Sequence, residues 1–503
     1  MQKLKALDAN FLYSESERTP NNISSVQILE LPDECSLDEF ISSLRYYFME
    51  RIHLVPYLTR KLKFTPGNID HPVWVKDKNF DLNNHFEHIK LALPGSFSQL
   101  EETVAKIHAK LMDRDKPLWK LFLISGLEGG KIAYYNQAHH AAMDGMAGQA
   151  ATMIMMDTTA KAQPIEPATE KPTEDDSLSE LLRLSFDNLV NYQIDSPVQA
   201  LNILGSAFRM AKRAFDPNMP FNYIPAATPK TRFNRCIEKK RTYAAGDIPV
   251  ADLKRMAKMC NGTLNDVLLA ICAGGLRRYL LRTNELPART LVAGCPVSLR
   301  QPGDVSMDNK VSIMSVALGT DIEDPRLRLN AIIDSSRIAK EVSNDTAALQ
   351  NLQISLAGFP AWLTSSYRMS ETLRLAEILP IPFNLIISNV PGPRKTLYSN
   401  GAKMLTHYPV SIPTHGLGLN ITASSYVNTL CFSVTSCAKA VPNAGIIRDD
   451  ILAAWEELRS TLIPRATISS ESTIVLGGAK ISRPVIPMPT VTPTADVTVG
   501  GSR

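Results

Sequence analysis

The sequence predicts a mixed α/β protein built as two layered domains, and three observations carry that prediction. Strand-like and helix-like patterns alternate in both halves of the chain, which calls for sheets with helices packed on them. The stretch 157–176 is rich in Thr, Ala, Lys, Pro and Glu, carries Pro164, Pro167 and Pro172, and has almost no apolar anchor, so it reads as a linker. The length of 503 residues suits about two to four domains. The expected boundaries are residues 1–156, a linker region over 157–241, a second globular unit over 242–463 and a disordered tail over 464–503.

Helix starts are the best-marked elements. Ser36-Leu-Asp-Glu39, Ser96-Phe-Ser-Gln99 and Ser177-Leu-Ser-Glu180 each match the capping box, in which a hydroxyl and a Glu or Gln side chain satisfy each other's orphan amides. After the second box, Leu100, Val104, Ile107 and Leu111 recur at helical spacing and predict one apolar stripe. Strands are expected over 121–125 and 131–137, joined by a turn at Glu128-Gly129-Gly130, with the second strand running directly into His139-His140. Helices follow over 178–192 and 197–215, the latter opened by Ser196-Pro197. The second unit reads as helices 250–260 and 264–282, strands 290–297 and 311–318, and long helices between 324 and 378. Strands 383–389, 404–411, 417–425 and 429–436 come next, and helix 443–462 closes it. The tail holds Pro484, Pro487, Pro489 and Pro493 without periodicity.

Composition excludes several classes. Lys plus Arg is 54 and Asp plus Glu is 50, a formal charge of +4, too balanced for a whole-chain nucleic-acid binder. The seven Cys show no CxxC pair and read as reduced, buried thiols of a cytoplasmic protein. No run reaches the roughly 18 apolar residues of a membrane span, and the first residues hold no signal-peptide core.

The sharpest motif is His139-His140-Ala141-Ala142-Met143-Asp144-Gly145. Where a strand ends in two imidazoles, one can face a cleft as a general base while the other packs behind it. Asp144 can fold back to fix a tautomer or buttress the turn, with Gly145 supplying backbone freedom. The same residues also suit a polar surface loop, or half a metal site, although no third ligand cluster accompanies them. Thr263-Leu264-Asn265-Asp266 is a further capping signature, and the helix after it is apolar nearly all round. At that positive helix end, the Asn265 amide could stabilise an oxyanion, while capping alone accounts for Asp266.

Together these motifs resemble a known family. HHxxxDG is similar to the active-site motif of the CoA-dependent acyltransferase superfamily. Pro117-Leu118-Trp119, Asn265-Asp266, Ser388-Asn389-Val390-Pro391-Gly392-Pro393 and the opening Leu7-Asp8-Ala9-Asn10-Phe11-Leu12 resemble motifs of the bacterial wax ester synthase/diacylglycerol acyltransferases. The resemblance covers about residues 1–462. It implies two acyltransferase-like domains, each a mixed sheet flanked by helices, with the active site in a channel at their interface.

It further implies an O-acyltransferase that moves a fatty acyl group from acyl-CoA to a fatty alcohol or to diacylglycerol, acyl-CoA being a substrate and no cofactor being required. His140 is the expected base, with His139, Asp144 and Asn265 in the catalytic set and Arg300 a candidate partner for Asp144. Gly145, Pro117, Leu118, Trp119, Asp266 and Asn389 are the expected substrate-binding residues. Trp119 would pack the core or line an acyl tunnel. Alternatives are a condensation-type or small-alcohol acyltransferase of the same fold, or a lipid-inclusion binding protein without activity. Residues 191–241 carry nine basic and three acidic side chains. The helix with Arg209, Lys212 and Arg213 could rest on an anionic membrane or lipid-inclusion surface, or serve only as a solvated face. Basic residues near 230–241 could instead hold CoA phosphates.

Overall fold

The computed structural model describes residues 1–33, 35–167, 176–188, 190, 228–298, 311–355 and 360–463. Arg300, the helix expected over 197–215 with its three cations, and the tail lie outside the described residues. In chain order the strands are β1 (Gln2–Lys3), β2 (Asn22–Glu30), β3 (Arg60–Lys63), β4 (Val73–Lys76), β5 (Phe86–Lys90), β6 (Trp119–Ser125), β7 (Ile132–His139) and β8 (Arg241–Pro249). Then come β9 (Val292–Ser298), β10 (Val311–Ala317), β11 (Leu385–Val390), β12 (Tyr398–Ser399), β13 (Ala402–Val410), β14 (Leu419–Tyr426) and β15 (Thr429–Cys437).

Two six-stranded mixed sheets dominate, in the orders β12-β13-β2-β7-β6-β5 and β10-β9-β11-β14-β15-β8, beside a small β1-β4-β3 sheet. In the first sheet only β5 and β6 are parallel; in the second, β11 is parallel to both of its neighbours. Strands β12 and β13 come from late in the chain yet complete the sheet otherwise built from residues 22–139, with Gln27 opposite His407. Both sheets belong to one compact unit, Met1–Pro464.

Each sheet is covered because its strands alternate. On one face of the first sheet, Trp119, Leu121 and Tyr134 pack against Phe40 and Leu44 of helix Leu37–Arg51 and Ala147, Ala151 and Met155 of helix Gly145–Met155. On the other, Val26, Phe122 and Tyr135 meet Leu100, Val104 and Ile107 of helix Phe97–His108. Helices Val250–Met259, Leu264–Arg282 and Ala444–Leu462 bury the second sheet. A fully buried Leu or Phe contributes about 1.5–3 kcal/mol of transfer free energy, so these layers hold the two walls of any cavity between them.

The expected capping boxes at Ser36, Ser96 and Thr263 are closed in both directions. Helix Phe97–His108 stops one turn short of Leu111, which lies outside it and is exposed. Helix Leu264–Arg282 is buried from Asp266 to Leu276, as its apolar circumference predicts. It approaches helix Ala444–Leu462 so closely that a Cβ on Gly275 would lie 2.6 Å from Ile451 Cγ1 and 2.8 Å from Ile451 backbone. The long helices between 324 and 378 are three: Pro325–Ser355, Pro360–Thr372 and Leu375–Ile378. The start of the expected linker is tied down: buried Asp157 accepts from Tyr47 Oη at 2.9 Å and pairs with Arg51 Nη2 at 3.3 Å. Among the described residues no single helix is long and apolar enough to cross a membrane.

Candidate active site

The histidine pair is delivered by the end of β7 and held from both sides. The His139 amide donates to Leu118 O at 3.0 Å and the His140 amide to Asn21 O at 2.8 Å. The Leu118 carbonyl of the Pro117-Leu118-Trp119 segment thus helps fix where the histidines stand. Leu118 itself is fully buried in a small core with Leu4, Ala9 and Leu12, and Pro117 is buried beside it.

The two imidazoles have different surroundings. His139 is wholly buried: its Nδ1 accepts from the Ala141 amide at 3.0 Å, so the proton sits on Nε2 and is donated to Glu15 Oε1 at 3.1 Å. Glu15 also pairs with Arg114 Nη2 at 2.6 Å. Burial alone would raise the Glu15 carboxyl, but the hydrogen bond from His139 and the Arg114 guanidinium beside it hold it below the usual carboxylate range. His140 instead lines a cavity of about 490 Å³ between the two sheets, and its ring lies flat on Phe11, centroids 4.0 Å apart and planes within 10°. The division of labour expected of adjacent histidines, one facing a cleft and one behind it, is the arrangement found.

Asp144 and Gly145 line the same cavity. The Asp144 carboxylate caps helix Gly145–Met155, accepting from Ala147 N at 2.8 Å. The carboxylate that fixes the His139 tautomer is Glu15. Gly145 is not in a left-handed conformation, so backbone freedom is not its use. A close approach is: a Cβ there would stand 3.2 Å from Val390 Cγ2, at the end of β11. The glycine lets the second sheet touch the start of the motif helix.

On that second wall, Asn389 lines the cavity and its Nδ2 lies 3.5 Å from Asn265 Oδ1. Asn265, half-buried at the start of helix Leu264–Arg282, is thus Asn389's neighbour at this wall of the cavity. Asp266 is buried and closes the capping box, its Oδ2 accepting from Thr263 N at 2.8 Å. Trp119 lines the cavity, its indole Nε1 donating to Leu58 O at 2.8 Å and its ring stacked on His85 at 4.5 Å. Of the basic residues near 230–241, Arg241 is buried and spends its guanidinium on the carbonyls of Arg18, Glu238 and Lys239, while Arg232 pairs with Glu285 at 3.3 Å. Those two are committed within the protein.

Several cavity residues carried no signal in the sequence. Gln149 donates to His407 Nδ1 at 3.3 Å and to Ser424 Oγ at 3.0 Å, tying helix, first sheet and second sheet together. His407, one of seven histidines without motif context, is pushed down to about 4 by burial. Asn420 and Thr422 join the lining from β14, beside Ser388 of the Ser388–Pro393 motif on β11. Five methionines cluster along residues 143–156, a pattern visible in the sequence; Met143, Met146, Met155 and Met156 line the cavity and Met153 is exposed. Such flexible apolar side chains suit a ligand with long hydrocarbon tails.

The wax ester synthase/diacylglycerol acyltransferase catalytic domain matches residues 4–268, and the C-terminal domain of the same family matches residues 307–459. An O-acyltransferase of Acinetobacter baylyi is 31% identical over 451 residues, covering 88% of this chain and 93% of its own. A solved wax ester synthase/diacylglycerol acyltransferase from Marinobacter aquaeolei VT8 superposes with a TM-score of 0.66 at 25% identity, covering 92% of this chain and 100% of its own. The starter condensation domain of rhizomide synthetase shares the fold, at a TM-score of 0.52 and 13% identity, over 91% of this chain and 94% of its own.

Proposed function

The chain belongs to the wax ester synthase/diacylglycerol acyltransferase family, and from that premise we propose that it transfers a long-chain acyl group from acyl-CoA to the hydroxyl of a fatty alcohol or a diacylglycerol, with His140 as general base. The observation that carries the proposal is the position of His140: at a strand end, on a largely apolar cavity between two sheets, with its ring braced by Phe11. An alcohol is a poor nucleophile at neutral pH, and a positioned base is worth roughly 10²–10⁴-fold. As the alcohol oxygen bonds to the thioester carbonyl carbon, its proton passes to His140. The tetrahedral intermediate then expels the CoA thiolate, which takes that proton from the imidazolium. Ester and free CoA are the products, and no bond to the enzyme forms.

The developing oxyanion is assigned to the side-chain amides of Asn389, which lines the cavity, and of Asn265 beside it. His139, Glu15 and Asp144 are positioning residues for the turn that carries His140. The apolar end of the cavity, from Phe48, Tyr57 and Trp119 to the methionines, suits the acyl chain. The test is CoA release from palmitoyl-CoA by purified protein. Release is expected only when hexadecanol or dipalmitoylglycerol is supplied, and should fall at least a hundredfold, roughly, in His140→Ala. Wild-type turnover in that variant would overturn the assignment.

A further inference from the structure

The cavity is not apolar throughout. Where the second sheet faces it, neighbouring parallel strands place Ser388 directly beside Thr422, and Asn420 one alternation back beside Ile386. Asn420 and Thr422 are buried. The Thr422 hydroxyl donates to Asn420 Oδ1 at 2.7 Å, which fixes the amide so that its NH₂ is the group left to donate into the cavity. The Ser388 hydroxyl is a second donor on the same face. This polar strip adjoins the chemistry, because Val390, two residues after Ser388, touches Gly145 of the histidine motif.

A run of methylenes next to a reacting hydroxyl offers these donors nothing, and seating it there would leave them dehydrated and unpaired. A diacylglycerol differs from a fatty alcohol at that place: in the 1,2-isomer the carbon next to the carbinol carbon bears one ester and the carbon after it the other, and their carbonyls only accept hydrogen bonds. The strip carries no cation to receive the phosphates of a CoA donor. Among the described lining residues the cation is Lys120, on the other sheet and paired with Glu87 at 2.7 Å.

We propose that Ser388 and Asn420, with Thr422 as positioning residue, are specificity-determining groups that hold the ester carbonyls of a diacylglycerol acceptor and so rank it above a straight-chain alcohol. The proposal rests on the acyltransferase reading above and names the acceptor class for it. The test is the ratio of kcat/KM for dipalmitoylglycerol to that for hexadecanol, at saturating palmitoyl-CoA, in wild type, Asn420→Leu and Ser388→Ala. Ser388→Ala removes only a hydroxyl and keeps the question answerable should Asn420→Leu fail to fold. Wild type is expected to favour the glyceride, and each variant to lower the ratio roughly tenfold. An unchanged ratio, or a raised KM for palmitoyl-CoA in place of a changed ratio, overturns the proposal. Wild type that acylates hexadecanol alone overturns it too, yet leaves the acyltransferase reading standing. No CoA release with either acceptor overturns both.

Discussion

Phe11 and His140 lie face to face, their ring centroids 4.0 Å apart and their planes within 10°. The two residues come from different elements, a helix near the N-terminus and a strand end more than a hundred positions later, so the stack sets the imidazole's plane by tertiary packing. Phe11→Leu keeps the apolar contact and removes the flat surface. A loosened ring costs catalysis more than binding, and misplacement by about 1 Å is worth roughly a hundredfold. The expected result is a kcat lowered by about that factor with KM for palmitoyl-CoA little changed. Equal losses in kcat and thermal stability would show that Phe11 merely packs.

Glu15 should matter for a different reason. Its carboxylate accepts a hydrogen bond from His139 Nε2 and pairs with the Arg114 guanidinium in a buried site. Glu15→Gln keeps the shape and removes the charge, leaving Arg114 and the His139 ring imperfectly paired. Removing one partner of a buried charged pair costs about 3–5 kcal/mol. Arg114 retains one-third of its side-chain exposure, so the lower end is expected here. Urea unfolding at pH 7 measures it; a loss below roughly 1 kcal/mol would mean that the Glu15 contacts add little.

Stability should fall on mild acidification. His108 is buried, with Tyr135 Oη 2.8 Å from its Nδ1 and Ser411 O 2.9 Å from its Nε2. Burial lowers both His108 and His407 to about 4. Between the unfolded value near 6.5 and that folded value, the unfolded chain binds protons that the folded one does not. The stability present above pH 6.5 is therefore lost as the pH falls toward 4, with a slope near 1.4 kcal/mol per pH unit for each group. His108→Gln should flatten the urea-unfolding slope between pH 6.5 and 5; an unaltered slope would remove His108 from the account.

Gly275 offers a test of packing with no role in chemistry. Its absent Cβ is what lets helix Leu264–Arg282 approach the Ile451 backbone. Gly275→Ala gains about 1 kcal/mol of helix propensity and still clashes, because backbone cannot yield as a flexible side chain does. A net loss of about 1–3 kcal/mol is expected from thermal unfolding. A raised Tm would mean that the helices separate cheaply.

How much of this was legible beforehand depended on the range of the interaction. The boxes at Ser36, Ser96 and Thr263 are local chemistry, and they could be read directly. So could the histidine motif, whose strand, turn and capped helix are contiguous. The single stripe extended to Leu111 failed because periodicity carries no signal for where a helix stops. Asn265 lies in the first turn of its helix as the capping signature indicates, but its contact with Asn389 of β11 joins segments distant in sequence and could not be read locally. Glu15, Gln149, His407 and Asn420 have no local pattern at all. They become site residues only because sheets and helices distant in sequence bring them together.

The path of β13 has a consequence for how the chain can be cut. Residues 403–410 pair with residues 24–30, with one register shift between Met404 and Thr406, so one strand edge of the histidine-bearing sheet is covered by a segment from late in the chain. A fragment ending near residue 156 would carry the full HHxxxDG segment and still display the unsatisfied amides and carbonyls of β2, an invitation to self-association. Supplying the missing portion in trans is the condition under which such a fragment should become soluble.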